Sequence, residues 1–153
     1  MEHQQREFVR RVIDGTQDLT LATIRPDGYP QATTVSFAYQ DRVLYVGIGR
    51  RSQKADNIRH NDKVSLTINL PYHDWRDIRG LSMSARAEIL DDPDDVETAR
   101  ACLERRFPAV SEWVGPDMAR EVVFLRIRPQ LMSVIDYSKG FGHTELVPAD
   151  DGA

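Results

Sequence analysis

The sequence predicts a mainly β domain, an antiparallel barrel with helices at its periphery. Three observations carry that expectation. Roughly seven segments alternate apolar and polar residues with the two-residue period of a half-buried strand. Most are separated by short turns rather than by the long crossovers that a parallel sheet needs. The segments with helical spacing lie at the start of the chain and between strands, where they can pack on the outside.

From Glu7 to Ile13 the spacing of Phe8, Val9, Val12 and Ile13 makes one apolar helical face, and Gly15 supplies the stop. The polar ends, Met1 to Gln5 and Pro148 to Ala153, are expected to fray. Leu19 to Arg25 reads as a strand closed by the turn Pro26-Asp27-Gly28. Gln31 to Tyr39 alternates, with Thr33, Val35, Phe37 and Tyr39 on one face, and Gln40-Asp41 turns it into a hairpin with Arg42 to Ile48. A short helix is expected from Ser52 to about His60, then a strand over Val64 to Leu70, a loop from Pro71 to Trp75, and a long strand over Ile78 to Leu90. Asp92-Pro93 opens the clearest helix, because proline is tolerated in a first turn and acidic side chains favour its positive end. Its buried stripe is Val96, Ala99, Leu103 and Phe107, with Pro108 as the stop. A shorter helix over Ser111 to Met118 and two strands, Glu121 to Arg128 and Leu131 to Tyr137, on either side of Pro129 complete the reading.

The length, 153 residues, suits one compact domain with a sizeable core. A net charge of −4 argues against a general binder of nucleic acid or anionic membranes. No apolar run approaches the ~18 residues of a membrane-spanning helix, and no signal peptide is read. With Cys102 as the single cysteine, no internal disulfide can form, so a cytoplasmic setting is expected. Four scattered histidines and that cysteine offer no zinc-site spacing, so no metal site is expected.

One local rule is broken. A helix start normally gathers acidic residues, because its unpaired N–H groups carry about half a positive charge. Here Arg50, Arg51 and Lys54 crowd the start of the helix that follows Gly47-Ile48-Gly49, in a chain that is acidic overall. Such clustering costs roughly 0.3–1 kcal/mol per charge unless an anion sits there. Three cations, the Ser52 hydroxyl and free backbone N–H groups together suit a phosphate, and the glycines admit a ligand close to the backbone. The alternative is a solvated basic turn in which Ser52 is an ordinary N-cap. The glycine spacing matches neither the P-loop nor the dinucleotide-binding fingerprint.

In their order and spacing these segments resemble the pyridoxamine 5′-phosphate oxidase-like flavoproteins, the split-barrel FMN-binding family. The resemblance rests on Leu21-Ala22-Thr23-Ile24, Pro26-Asp27-Gly28-Tyr29-Pro30, Thr33-Thr34-Val35-Ser36-Phe37, Leu44-Tyr45-Val46-Gly47, Ser52-Gln53-Lys54 with Asn57-Ile58, Val64-Ser65-Leu66-Thr67-Ile68, the Gly80 to Glu88 strand, and Gly140-Phe141-Gly142-His143. It covers residues 7 to 147. It implies a six-stranded antiparallel split barrel of FMN-binding type, and a homodimer with flavin at the subunit interface. It also implies an oxidoreductase that moves a hydride or electrons to or from a small molecule. Carried over by motif position, Arg50, Arg51, Ser52 and Lys54 hold the FMN phosphate. Thr33, Thr34, Val35 and Ser36 line the isoalloxazine, with Ile48 and Gly49 beside it, and Trp75 and Arg79 reach the partner's flavin. Asn57 is expected to tie its helix to the barrel.

The chain departs from the family in one respect. Oxidases of pyridoxamine 5′-phosphate use arginine and histidine near the C-terminus for the substrate's phosphate, whereas no arginine follows Arg128 here. Lys139, Tyr137 and His143 stand in that region, so activity on that substrate is not expected. His143 and Tyr137 are the candidates for substrate contact or proton transfer, against the plainer reading of His143 as a surface-loop residue. Alternatives stay open: a reductase using a deazaflavin coenzyme, which wants the same cations, or a protein without enzymatic activity that stores flavin or binds haem, for which His143 or His73 is the nearest axial ligand. Cys102 reads as a small core residue, and the acidic run Asp91 to Asp95 reads as a solvated helix start.

Overall fold

The computed structural model describes residues 1–113, 116 and 120–149. Its centre is a mostly antiparallel sheet curled into a half-barrel. In chain order the elements are α1 (His3–Asp14), β1 (Asp18–Ile24), β2 (Pro30–Ser36), β3 (Ala38–Gln40), β4 (Val43–Gly49), α2 (Gln53–His60), β5 (Lys63–Asn69), β6 (Arg79–Ile89), α3 (Pro93–Arg106), α4 (Val110–Trp113), β7 (Val122–Asp136) and β8 (Thr144–Pro148). Neighbouring strands run β2-β1-β5-β6-β7-β4-β3, and β8 also pairs with β7. Six of these strands have seven or more residues; β3 and β8, with three and five, extend them.

Alternation makes the barrel core. Leu19 and Leu21 of β1, Leu44 and Val46 of β4, Leu66 and Ile68 of β5, Leu81 of β6, and Leu125 and Ile127 of β7 point inward and are almost wholly removed from water. Helix α1 adds Val9, Val12 and Ile13 to the same cluster. A second cluster lies on the other face of β4, where Tyr45 meets Ala99, Cys102 and Leu103 of α3. At Tyr45 the β4 strand is therefore covered on both sides, and α3 lies outside the barrel wall.

Four sequence expectations change in the structure. The single strand over Gln31 to Tyr39 breaks at Phe37, whose N–H donates to the Gln17 carbonyl at 3.1 Å. Phe37 joins the barrel core while Ala38 joins the cluster beneath α3, so two consecutive residues are buried on opposite faces. Tyr39, paired with Leu44 at the sheet's edge, is part exposed. The break leaves β2 paired with β1, and β4 forms its hairpin with β3 alone. The connecting residues Asp41 and Arg42 have φ of 51° and 65°, the left-handed geometry that suits a tight hairpin.

Pro129 does not separate two strands: β7 runs through it. The ladder to β6 steps from Ala85–Pro129 to Ser84–Leu131, leaving Gln130 as the extra residue of a bulge. A bulge can carry a residue that has no N–H to donate.

The fraying expected of Met1 to Gln5 is not seen, and of the end expected to fray from Pro148 to Ala153 only the first two residues are described, the other four lying outside the described residues. Helix α1 starts at His3, where Glu2 and Gln5 cap each other's backbone N–H groups. Pro148 closes β8 and the Ala149 N–H donates to Gln130. The shorter helix expected over Ser111 to Met118 is seen as Val110–Trp113, and the rest of that expectation falls largely outside the described residues.

Candidate functional site

Helix α2 begins where β4 ends. Its N-cap is Ser52: the hydroxyl accepts from the Ala55 N–H at 3.3 Å and donates to the Gly49 carbonyl at 2.7 Å. The capped turn leaves the N–H groups of Gln53 and Lys54 facing the helix start. Arg50 is anchored to the beginning of β7, through its N–H to the Glu121 carbonyl and its Nε to the Arg120 carbonyl, both at 2.7 Å. Arg59 donates to the Arg50 carbonyl at 3.1 Å and pairs with Asp56. Arg51 and Lys54 have no hydrogen-bonding or ionic partner among the described residues. Two uncompensated cations at the positive end of a helix thus persist in the folded chain, beside an anchored third.

The inner side of α2 is fixed by Asn57, which is fully buried. Its amide donates to Thr23 Oγ1 of β1 at 2.9 Å and to Gln31 Oε1 of β2 at 3.1 Å, while its own oxygen accepts from Gln53 at 2.8 Å. The expected tie between helix and barrel is present.

Beside the helix start lies a groove of about 820 Å³, within the usual range for a small-molecule site. Its floor is the outer face of β4. On that face Tyr45 is followed by Gly47 and Gly49, so the backbone is bare for the last two positions. Neither glycine has a positive φ. A Cβ on Gly47 would stand 3.6 Å from Phe124 and Val122, and one on Gly49 3.7 Å from the Ser52 Cβ, both ordinary contacts. Neither backbone geometry nor packing demands glycine there; the open floor does.

One wall is the exposed side of β2, where Thr34 and Ser36 point outward, with Val35 between them. The opposite wall is α3 and the chain after it, including Val96, Leu103, Phe107 and Val110. Sequence reasoning missed this second wall, since its stripe reads simply as core. Arg100 and Glu104 on that wall neutralise each other, and Arg100 also holds Glu97 at 2.6 Å. The α3 wall is fixed at its start by Arg126 of β7, which meets Asp95 at 3.1 Å and Glu88 at 2.6 Å. Near its end, Arg106 donates to the carbonyls of Ile13, at 2.8 Å, and Thr16.

Of the residues singled out from sequence, the groove gathers Thr34, Val35, Ser36, Ile48, Gly49, Arg50 and Lys54. Arg51 and Ser52 belong to the helix start but not to the groove wall. Thr33 faces the other side of β2, and its hydroxyl is buried with no hydrogen-bond partner. The groove thus has a cationic end at Arg50 and Lys54, a bare floor and a facing apolar wall.

Trp75, Arg79, Tyr137 and His143 lie together elsewhere in the chain. Trp75 and Tyr137 pack on Phe141 with ring centres 6.0 and 5.5 Å away, and Trp75 and Phe141 remain 66% and 83% exposed. Arg79 pairs with the buried Asp136 at 3.6 Å. His143 Nε2 lies 3.0 Å from a Glu145 oxygen, whose partner oxygen accepts from Gln5 at 2.9 Å. These bonds to Gln5 and His143, with Lys139 nearby, hold the Glu145 carboxyl down at about 2. None of the four residues reaches the groove of its own chain.

Comparison with known proteins places this geometry. A family model described as pyridoxamine 5′-phosphate oxidase matches residues 2–136. No curated protein matches the chain. Among solved structures, a haem-binding protein from Mycobacterium smegmatis superposes with a TM-score of 0.80 at 18% identity. The match covers 98% of this chain and 60% of that one, so the chain spans three fifths of that relative's length. A conserved hypothetical protein of Mycobacterium tuberculosis matches at 0.76 and 24% identity, over 100% of this chain and 95% of the other. A putative pyridoxamine 5′-phosphate oxidase from Listeria innocua matches at 0.68 and 18%, over 85% and 97%. The split-barrel fold is common to them.

Proposed function

The chain belongs to the pyridoxamine 5′-phosphate oxidase family, and from that premise we propose that it binds FMN in the groove and serves as a flavin-dependent oxidoreductase. The observation that carries this reading is the pair of uncompensated cations, Arg51 and Lys54, at the start of α2, where it opens on the groove. The phosphate lies against Arg50, Arg51, Ser52 and Lys54, with the N–H groups of the first helical turn beneath it. The flat ring system lies along Thr34, Val35 and Ser36, over the bare backbone of Gly47 to Gly49.

Bound FMN supplies hydride or electron transfer with a small-molecule substrate. The chain's own part is to bind, orient and exclude water. Anchoring of Arg50 and burial of Asn57 preset the phosphate site, and the apolar α3 wall dries the side of the groove facing it. Among the described residues no histidine, cysteine or tyrosine lines the groove; its carboxylate is Glu104, which Arg100 holds. The reading includes a cytoplasmic homodimer in which Trp75 and Arg79 of one protomer meet the cofactor of the other. The exposed Trp75 and Phe141 give each protomer an apolar surface suited to such a contact.

A deazaflavin coenzyme meets the same cations and keeps the same phosphate site. A haem reading draws support from the fold shared with the mycobacterial haem-binding protein. Against it, the groove offers no histidine, cysteine, methionine or tyrosine among the described residues to ligate iron.

Titration of the purified protein with FMN, deazaflavin coenzyme and haem, followed by absorbance and fluorescence, tests the reading. Preferential FMN binding is the expected result. Preference for haem or deazaflavin, or binding of none, overturns it.

A further inference from the structure

The two ends of the groove differ in a way that bears on what shares it with the cofactor. A cation without a partner among the described residues, Lys54, stands at one end, with Arg51 beside it at the helix start outside the groove wall. The other basic residue on the walls beyond Arg50 is Arg100, and it is held between Glu97 and Glu104 on successive turns of α3. Among the described residues the rest of that wall is mostly hydrocarbon, Leu90, Val96, Leu103, Phe107 and Val110 facing Phe124 across the floor, with Ser111 adding one hydroxyl.

We infer that the α3 side of the groove is a subsite for an uncharged, apolar small molecule, and that it rejects a substrate carrying its own phosphate. The inference rests on the FMN reading in one respect: the cofactor's phosphate takes up the free cations at the α2 end. Among the described residues a second phosphate on the α3 side meets no free cation. It would lie against hydrocarbon and beside the Glu104 carboxylate, losing its hydration without recovering it. A flat hydrocarbon-rich molecule instead removes apolar wall from water as it enters. The discrimination arises on both sides, from the apolar surface that attracts and from the self-neutralised Arg100 that withholds a partner.

The probes are menadione, a neutral apolar naphthoquinone, and pyridoxamine 5′-phosphate, each measured by equilibrium dialysis and ligand-observed NMR against the FMN-loaded full chain. Menadione is expected to bind at least tenfold more tightly than pyridoxamine 5′-phosphate. Val110→Glu places a carboxylate on an exposed wall position that folding does not need, and should weaken menadione at least tenfold. Val96→Asp, in the first turn of α3 where acidic residues are tolerated, checks the same point from the other end of the wall. Glu97→Gln combined with Glu104→Gln releases Arg100 and should raise affinity for pyridoxamine 5′-phosphate at least tenfold. Tighter binding of pyridoxamine 5′-phosphate by the unaltered chain overturns the inference. So does menadione affinity that ignores both wall substitutions in variants with native circular dichroism. If FMN does not bind, the same two ligands are measured on the chain without it. Failure of the cofactor reading is then distinguished from failure of the apolar subsite.

Discussion

Asn57 of α2 and Thr23 of β1 are both buried and share a hydrogen bond of 2.9 Å, 34 residues apart in sequence. The bond sets where the helix start sits relative to the barrel, and so where Arg51 and Lys54 present their charges. Removing one partner strands the other in a site without water, which costs about 1–3 kcal/mol.

Asn57→Ala should therefore lower unfolding free energy by about 1–3 kcal/mol in chemical denaturation, since Thr23 and Gln31 both lose their donor. FMN affinity should fall with it, because the same contact aims the helix. A variant as stable as the parent contradicts this account of α2.

Arg51→Ala with Lys54→Ala removes the uncompensated cations. Charge-assisted bonds to a phosphate are strong enough that FMN should bind at least tenfold more weakly, about 1.4 kcal/mol. Relief of crowding at the helix start should at the same time leave the fold as stable or slightly more so. Unchanged FMN affinity with an intact fold removes the phosphate assignment.

Gly47→Val tests the bare floor. The new Cβ meets Phe124 and Val122 at ordinary contact distance, and a β-branched residue suits a strand. Thermal unfolding should hardly change, while the added methyl groups stand where the ring system is proposed to lie and FMN binding should drop at least tenfold.

The barrel was legible in the sequence because its strands alternate and its turns carry Gly28 and Pro26, signals that act over a few residues. The anomalous cations were legible for the same reason: the rule they break is local to one helix turn. What stayed hidden depends on partners far away. The break at Phe37 is made by its N–H bond to the Gln17 carbonyl, and because alternation continues through Ala38 the sequence reads the segment as one strand. Val96, Leu103 and Phe107 show a helical stripe, but nothing in that spacing says that part of it borders a groove against Thr34 and Ser36. Strand β8 is short and largely exposed, and its place is decided by the far edge of β7.

Glu145 joins the two ends of the chain, accepting from Gln5 of α1 while it sits on β8 beside His143. Its bonds to Gln5 and His143 hold its carboxyl at about 2, below the ordinary 4.5. A group depressed in the folded state stabilises fully above its unfolded value, and that contribution is lost as pH falls through the window from 4.5 toward 2. Protection of the α1 amides relative to their intrinsic exchange rates should fall across that window. Glu145→Gln should show the lower protection already at pH 6 and little further loss on acidification; a parallel loss of protection in both proteins counts against the tie.

The exposed Trp75 leads to the last expectation. A tryptophan at 66% exposure, stacked on a phenylalanine at 83%, leaves two large apolar side chains in water on each protomer. Burying them against a second copy offsets that cost, and aromatic residues of this kind commonly anchor interfaces. Sedimentation should therefore give a dimer. If Trp75 of one protomer lies over the cofactor of the other, FMN should quench tryptophan emission strongly, and Trp75→Phe should remove most of the quenching although Trp113 remains. The same variant should weaken FMN, since a phenyl ring covers less of the ring system than an indole. A flavin-loaded monomer, or quenching that survives Trp75→Phe in full, places the cofactor within one chain and leaves the aromatic cluster without a role in binding it.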